Sequence, residues 1–247
     1  MNNRFLRNKD LIDQRQLDKI TVVGAGGIGS AIIQLLTIMG FKEITIYDSD
    51  VMEEHNRSTT IYPQYSSEYS PTKVSCANNL AISYNSDIIF NQHPINYNPE
   101  LDNTLPVTPK MIVCLDNMED RLAIYEHWRL NNKDSNGYFI DGRMDALAFE
   151  IVTMQMKDDP SEYYEHWTPS ADIEDAPCTM KHTIFTASIV AGMMINQLFA
   201  LCGNRGYYQY VWMNLLTNNL RKEGFRINSI AKIGNNQYIT NTLTEEK

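Results

Sequence analysis

The chain predicts an α/β fold, a doubly wound and mostly parallel sheet with an antiparallel C-terminal extension. Three observations predict it. The β-branched run Lys19-Ile20-Thr21-Val22-Val23 leads straight into the glycine-rich loop Gly24-Ala25-Gly26-Gly27-Ile28-Gly29 and a helical apolar pattern. Strand-like and helix-like segments then alternate, the order that builds a parallel sheet. Beyond residue 137 the pattern changes to strands close enough to pair antiparallel.

The elements follow in order. Ile28 to Met39 carries apolar residues at helical spacing, and Gly40 stops it. Glu43 to Asp48 is a strand ending in an acid. Pro71 opens a helix over Thr72 to Tyr84, and Ile88 to Ile95 is a third strand. Met111 to Asp116 is an apolar strand that again ends in an acid, followed by a helix over Glu119 to Leu130. Tyr138 to Asp141 and Ala146 to Met156 read as strands joined by a polar Gly-Arg turn at Gly142 and Arg143. Residues 157 to 178 are polar, acidic and proline-containing, a long loop of the kind that forms lids. A helix over Thr179 to Leu201 and a mixed segment, Tyr207 to Leu220, complete the pattern.

Bulk properties exclude several functions. The 247 residues, 43% hydrophobic and 21% charged, suit a globular protein with a sizeable core. A net charge of −9 disfavours nucleic acid as partner, because phosphate backbones demand clustered cations. The apolar stretch from Ile184 to Leu201 is interrupted by Thr186, Ser188, Asn196 and Gln197, so it reads as a buried helix and not a membrane span. Met1 to Phe5 has charge without an apolar core behind it, so no secretory leader is expected and the cytoplasm is the expected location. Cys76, Cys114, Cys178 and Cys202 fall in separate segments without a C-x-x-C pair, against a disulfide framework and against a cysteine-rich zinc site.

The glycine loop carries the first chemical signal. Gly24 permits the tight turn, Gly26 and Gly27 let backbone approach a phosphate, and Gly29 allows close helix packing. Alone the motif is a modest signal, but it stands between a predicted strand and a predicted helix, the context it requires; a glycine-rich turn without ligand is the lesser alternative. Asp48, roughly twenty residues on, stands where an acid accepts hydrogen bonds from ribose hydroxyls. Asp50, Glu53, Asn56 and Arg57 crowd the next segment, and Lys73 opens a helix. Arg57 and Lys73 are cations suited to triphosphate, although either alone is more often a solvated surface charge. Asp116 and Asn117 end the fourth strand at the carboxyl edge, where an acid facing phosphates is a natural Mg²⁺ ligand. Arg121 either supports that aspartate or sits on the outer face.

Together these segments resemble the ubiquitin-activating-like adenylyltransferases that serve molybdopterin and thiamine sulfur carriers. The resemblance runs from about Arg4 to Leu201. It is carried by Arg4-Phe5-Leu6-Arg7, GAGGIGS (24–30), IYDSDVMEEHN (46–56), PTKVSCANNLAISYN (71–85) and CLDNMEDR (114–121). The spacings of 12 from Lys73 to Asn85 and 5 from Asp116 to Arg121 match the family's pattern. The resemblance implies one ThiF-type adenylation domain over 1–247: an arm (1–18), a nucleotide-binding half (19–135) and a part with antiparallel strands, lid and last helix (136–247). It implies that ATP and Mg²⁺ are bound and that the C-terminal carboxylate of a small ubiquitin-like or sulfur-carrier protein, or of a peptide, is activated as an acyl-adenylate. Gly27 would lie against the nucleotide, Asp48 would hold the ribose, Asn56 and Lys73 would contact phosphates, and Asp116 would bind Mg²⁺. Arg7 would reach the γ-phosphate of a second subunit, which implies a homodimer.

The sequence departs from the family at three points. Asn56-Arg57-Ser58-Thr59 replaces the usual N-x-x-R-Q, so Arg57 fills that arginine's role only with a local shift. Paired C-x-x-C zinc motifs are absent, and no rhodanese-like or catalytic-cysteine extension is expected. Cys178, at Pro177-Cys178-Thr179, adjoins a predicted helix N-terminus, which stabilises thiolate; it reads equally as a nucleophile and as a small packed residue. His182 lies one turn beyond. Arg143 is a weaker candidate for binding the incoming carboxylate, and Tyr163, Tyr164 and Trp167 either contact a substrate tail or anchor the loop. Two other functions share the fold: an NAD-dependent oxidoreductase and a non-catalytic partner subunit.

Overall fold

The computed structural model describes residues 3–5, 11–64, 71–99, 107–172, 183–203 and 205–226. Eight strands form one sheet in the order β3-β2-β1-β4-β5-β6-β7-β8. They are β1 (Lys19–Val23), β2 (Glu43–Tyr47), β3 (Ile89–His93), β4 (Lys110–Val113), β5 (Tyr138–Asp145), β6 (Ala148–Gln155), β7 (Tyr207–Asn214) and β8 (Asn219–Arg226). The first five pair in parallel and the last three antiparallel, the architecture expected from sequence. β1 lies between β2 and β4, so the chain reverses its direction of travel across the sheet there. A crevice opens at such a switch point, outside the strands' carboxyl ends.

Two apolar layers cover the faces. On one, α1 (Gly27–Met39), α2 (Lys73–Tyr84) and the long α5 (Ile184–Cys202) bury Ile32, Leu36, Leu80, Val190 and Leu198 with Ile20, Ile44 and Ile140 of the sheet. On the other, α3 (Met118–Asn131) and the single turn α4 (Ser161–Tyr164) bury Ile124, Tyr125, Trp128 and Tyr163 against Val113, Phe139 and Met154. Length and composition alone would let α5 cross a membrane. Its Ala187, Val190, Ala191 and Met194 are instead fully buried in the core.

Local chemistry sets the helix ends. Gly40 adopts φ +105° at the end of α1, a left-handed conformation that glycine takes without Cβ strain. Thr72, Asn117 and Thr183 each cap a helix by accepting from the backbone N–H three residues on, at Ser75, Asp120 and Thr186.

The structure moves several sequence-derived boundaries. Gly142 and Arg143 are not a turn: β5 runs on to Asp145 and pairs Gly142 with Ile151. The reversal falls at Ala146 and Leu147, with Ala146 at φ +44°. A Cβ on Gly142 would meet the thioether end of Met194 on α5, which would have to move aside. The segment from Tyr207 is a hairpin of two full strands, and part of the 157–178 loop folds as α4 and a short turn at Ser170–Asp172. The last helix begins at Ile184 and not at Thr179, because Thr183 is its extended cap at φ −126° and ψ 141°; Cys178 is thus not in the residues next to that helix start.

Candidate active site

One cavity of about 700 Å³ opens at the β1/β4 switch point, bounded by the loops after β1, β2 and β4 and by β5 and β6. The glycine loop forms its floor, and each glycine has its own reason. A Cβ on Gly24, at φ +99°, would approach the Cys114 carbonyl oxygen to 2.7 Å, and one on Gly27 would approach that of Thr59 to 2.8 Å. A Cβ on Gly29 would fall inside the Gly24 carbonyl, so that glycine lets helix and strand touch. At Gly26 alone among the four, no atom lies within 4 Å of an added Cβ. Gly26 is thus the loop's open face, while Gly27, expected to face phosphate, is also fixed by packing. Gly26 is the N-cap of α1 and gives no side-chain cap to its first-turn N–H groups. Such a helix start offers donors and a positive dipole end to an anion.

Asp48 stands at the end of β2. Its Oδ2 accepts from the Ala25 N–H at 2.7 Å and its Oδ1 from the Asp50 N–H at 2.9 Å. Burial pushes its carboxyl up from the ordinary value, outweighing those N–H donors and Lys73. Lys73, 9% exposed in the first turn of α2, donates to Asp50 Oδ2 at 2.7 Å and lines the cavity beside Asp48. Asn56 lines it too; its Oδ1 accepts from Glu53 N–H at 3.0 Å within a capping box.

Asp116 is exposed on the opposite wall, past the end of β4, and Asp120 lies one helical turn on. Burial and then Asp116 raise the carboxyl of Asp120, so the two share one field. Among the described residues no group of three or more His, Cys, Asp or Glu could cage a metal. The set fits Mg²⁺ shared with phosphate oxygens, which takes one or two carboxylates from protein.

Gly24, Gly26, Gly27, Asp48, Asn56, Lys73 and Asp116 therefore meet at one cavity. Arg57 and Asn117 are not among its lining residues: Arg57 Nε donates to Glu54 at 2.7 Å, and the Asn117 side chain caps α3. Arg7, Cys178 and His182 lie outside the described residues. Cys114 borders the cavity, but burial raises its thiol well above the ordinary value, against a nucleophilic role.

The remaining walls were not legible as a site. Arg121 is not on the outer face; it is 2% exposed, and the hydrogen bonds of its guanidinium go to Asp141 Oδ1 and the Gly142 carbonyl. Arg143 is not open to a substrate carboxylate: its Nε and one terminal nitrogen meet Asp141 Oδ2 at 3.0 and 2.8 Å, and the other meets Glu150 at 2.8 Å and the His166 carbonyl at 2.5 Å. Tyr163 stacks on Tyr125 at 3.9 Å, and Trp167 Nε1 donates to the Met118 carbonyl at 2.7 Å, so both anchor the loop. Glu150 and Trp212 extend the cavity along β6 and β7, some sixty residues apart in sequence. The pointer to this wall in the sequence was Arg143, read there as part of a turn; in the structure Asp141 and Arg143 share one face of β5.

The architecture has close counterparts. Selenomethionine PaaA superposes with a TM-score of 0.69 at 17% identity, covering 89% of this chain and 68% of that one. MccB of E. coli bound to ATP gives 0.68 at 14% identity, covering 94% and 74%; such identities show the fold. Ubiquitin-like modifier-activating enzyme 5 of Rattus norvegicus is 29% identical over 119 residues, 42% of this chain and 29% of that protein. The Dictyostelium discoideum enzyme of that name is 31% identical over 121 residues, 42% and 30% of the two chains. The match thus spans less than a third of these curated relatives. The ThiF family model matches residues 4–235, nearly the whole sequence and every element around the cavity. The chain belongs to the ThiF family.

Proposed function

We propose that this protein is an ATP-dependent adenylyltransferase that activates the C-terminal carboxylate of a small ubiquitin-like or sulfur-carrier protein, or of a peptide. The observation that carries this reading is the meeting of Gly26, Asp48, Lys73 and Asp116 around one cavity, in a chain of the ThiF family. The uncapped start of α1 and Lys73 receive phosphates, and Asp48 accepts from ribose hydroxyls. A carboxylate oxygen entering from the β5–β6 wall attacks the α-phosphorus, the bond to the β-phosphate oxygen breaks, and pyrophosphate leaves. Asp116 and Asp120 would hold Mg²⁺, which neutralises charge on the phosphates when bound. Arg7 of a second copy would meet the γ-phosphate, so a homodimer is part of the proposal. Two named relatives support it: one set are ubiquitin-like modifier-activating enzymes, and MccB has been crystallised with AMPCPP and MccA.

Pyrophosphate exchange with candidate carrier proteins tests the reading. Lys73→Ala and Asp116→Ala are each expected to cut exchange by roughly 10²- to 10³-fold, the usual loss of one fixed transition-state charge partner. Unchanged exchange in both variants would remove these residues from the chemistry.

A further inference from the structure

Asp141 is fully buried in β5, yet no step above uses it. Arg121 occupies its Oδ1, while Arg143 and the Tyr163 hydroxyl, at 3.0 Å, occupy its Oδ2. Burial would push its carboxyl up, but Arg121, Arg143 and Tyr163 together hold it below the ordinary value. Taking such charges out of water costs several kcal/mol per ion, and well-packed apolar residues of similar volume often stabilise a core as well. Stability alone therefore does not account for this cluster, whereas its placement does. Arg121 sits in the first turn of α3, directly after the Asp116 end of the cavity, with its own N–H on the Asn117 carbonyl. Arg143 reaches in the other direction, to Glu150 on β6 and to the His166 carbonyl in the loop. Both arginines line the cavity, and Asp141 is the group they share.

We propose that Asp141 is a positioning residue for the adenylation step: through Arg121 and Arg143 it fixes the Asp116 wall against the β5–β6 wall. The nucleotide then meets the incoming carboxylate at one separation. This rests on the function proposed above. Its consequence is a split: losing Asp141 impairs turnover and leaves nucleotide binding in place, because none of its bonds reaches the glycine loop, Asp48 or Lys73.

The experiment uses the whole chain, with hydrogen exchange read by mass spectrometry with and without MgATP, alongside pyrophosphate exchange kinetics. In the wild type MgATP is expected to slow amide exchange both at residues 116–121 and at 142–150. In Asp141→Asn the slowing stays at 116–121, KM for MgATP is unchanged, and kcat per bound nucleotide falls roughly a hundredfold, the loss that a misplacement of about 1 Å brings. Tyr163→Phe removes one donor and strands no charge; it is expected to fold and to shift both readouts the same way by less, and it decides the matter if Asp141→Asn does not fold. A merely structural role would lower the melting point and leave the two-wall protection and kcat per bound nucleotide intact in the folded fraction; that result would overturn the proposal. A wild type that shows two-wall protection and no exchange with any carrier would overturn adenylation instead, leaving the coupling of the walls standing.

Discussion

Asp48 keeps a carboxylate half-buried beside Gly26, where burial raises its proton affinity. An acid whose folded pKa is raised adds stability only below its unfolded value, and that contribution is lost as pH rises through the folded one. At neutral pH the ionised group is therefore a cost to folding, one that the proposed role as ribose acceptor would explain. Asp48→Asn is expected to weaken MgATP by roughly 10- to 100-fold, in line with about 1.5–3 kcal/mol for a hydrogen bond to a charged group, without loss of melting temperature. Calorimetry and a thermal melt read the two quantities. In the wild type, nucleotide affinity should fall on acidification sooner than for an ordinary carboxylate of 3.8. Asp48, Lys73 and Asp116 were visible in the sequence, since each ends a predicted strand or opens a helix, whereas Asn56 came only with the family resemblance. Arg57, offered for the family arginine's place, stands outside the cavity lining with its guanidinium on Glu54, three residues earlier on the same turn.

The loop between β1 and α1 shows how one motif combines two demands. Gly29 and Gly27 serve packing, and Gly26 leaves room. Gly29→Ala should fail to give soluble folded protein, because its Cβ would occupy the place of the Gly24 carbonyl. Gly26→Val should keep the far-ultraviolet circular dichroism of the wild type and lose pyrophosphate binding, since a Cβ there has no protein atom within 4 Å and the branched side chain would stand in front of the uncapped first-turn N–H groups. A Gly26→Val variant that binds pyrophosphate like the wild type would move the phosphate elsewhere. Helix and strand positions followed from periodicity and caps. The β5–β6 reversal did not: Gly142 looked like a turn residue, and its place in mid-strand against Met194, from a helix 52 positions away in sequence, belongs to the tertiary packing.

For the whole molecule, ligand linkage separates the competing functions. MgATP at about one hundred times Kd stabilises by about 2.7 kcal/mol, and a chain of this length gains about 2–4 °C per kcal/mol. A rise in Tm of roughly 5–10 °C with MgATP and none with NAD is expected; the opposite order would favour the oxidoreductase. The sequence by itself determined the α/β architecture, the strand–loop–helix of the glycine motif and the acids at the strand ends, because these rest on local periodicity and on chemistry within a few residues. Only the tertiary structure decided the second wall. Glu150, Trp212 and the Arg121–Asp141–Arg143 cluster meet through antiparallel pairing and helix docking across 20 to 60 residues. The strand register sets Arg143 opposite Glu150 and Glu150 opposite Trp212, while α3 brings Arg121 onto Asp141, and no local pattern encodes either.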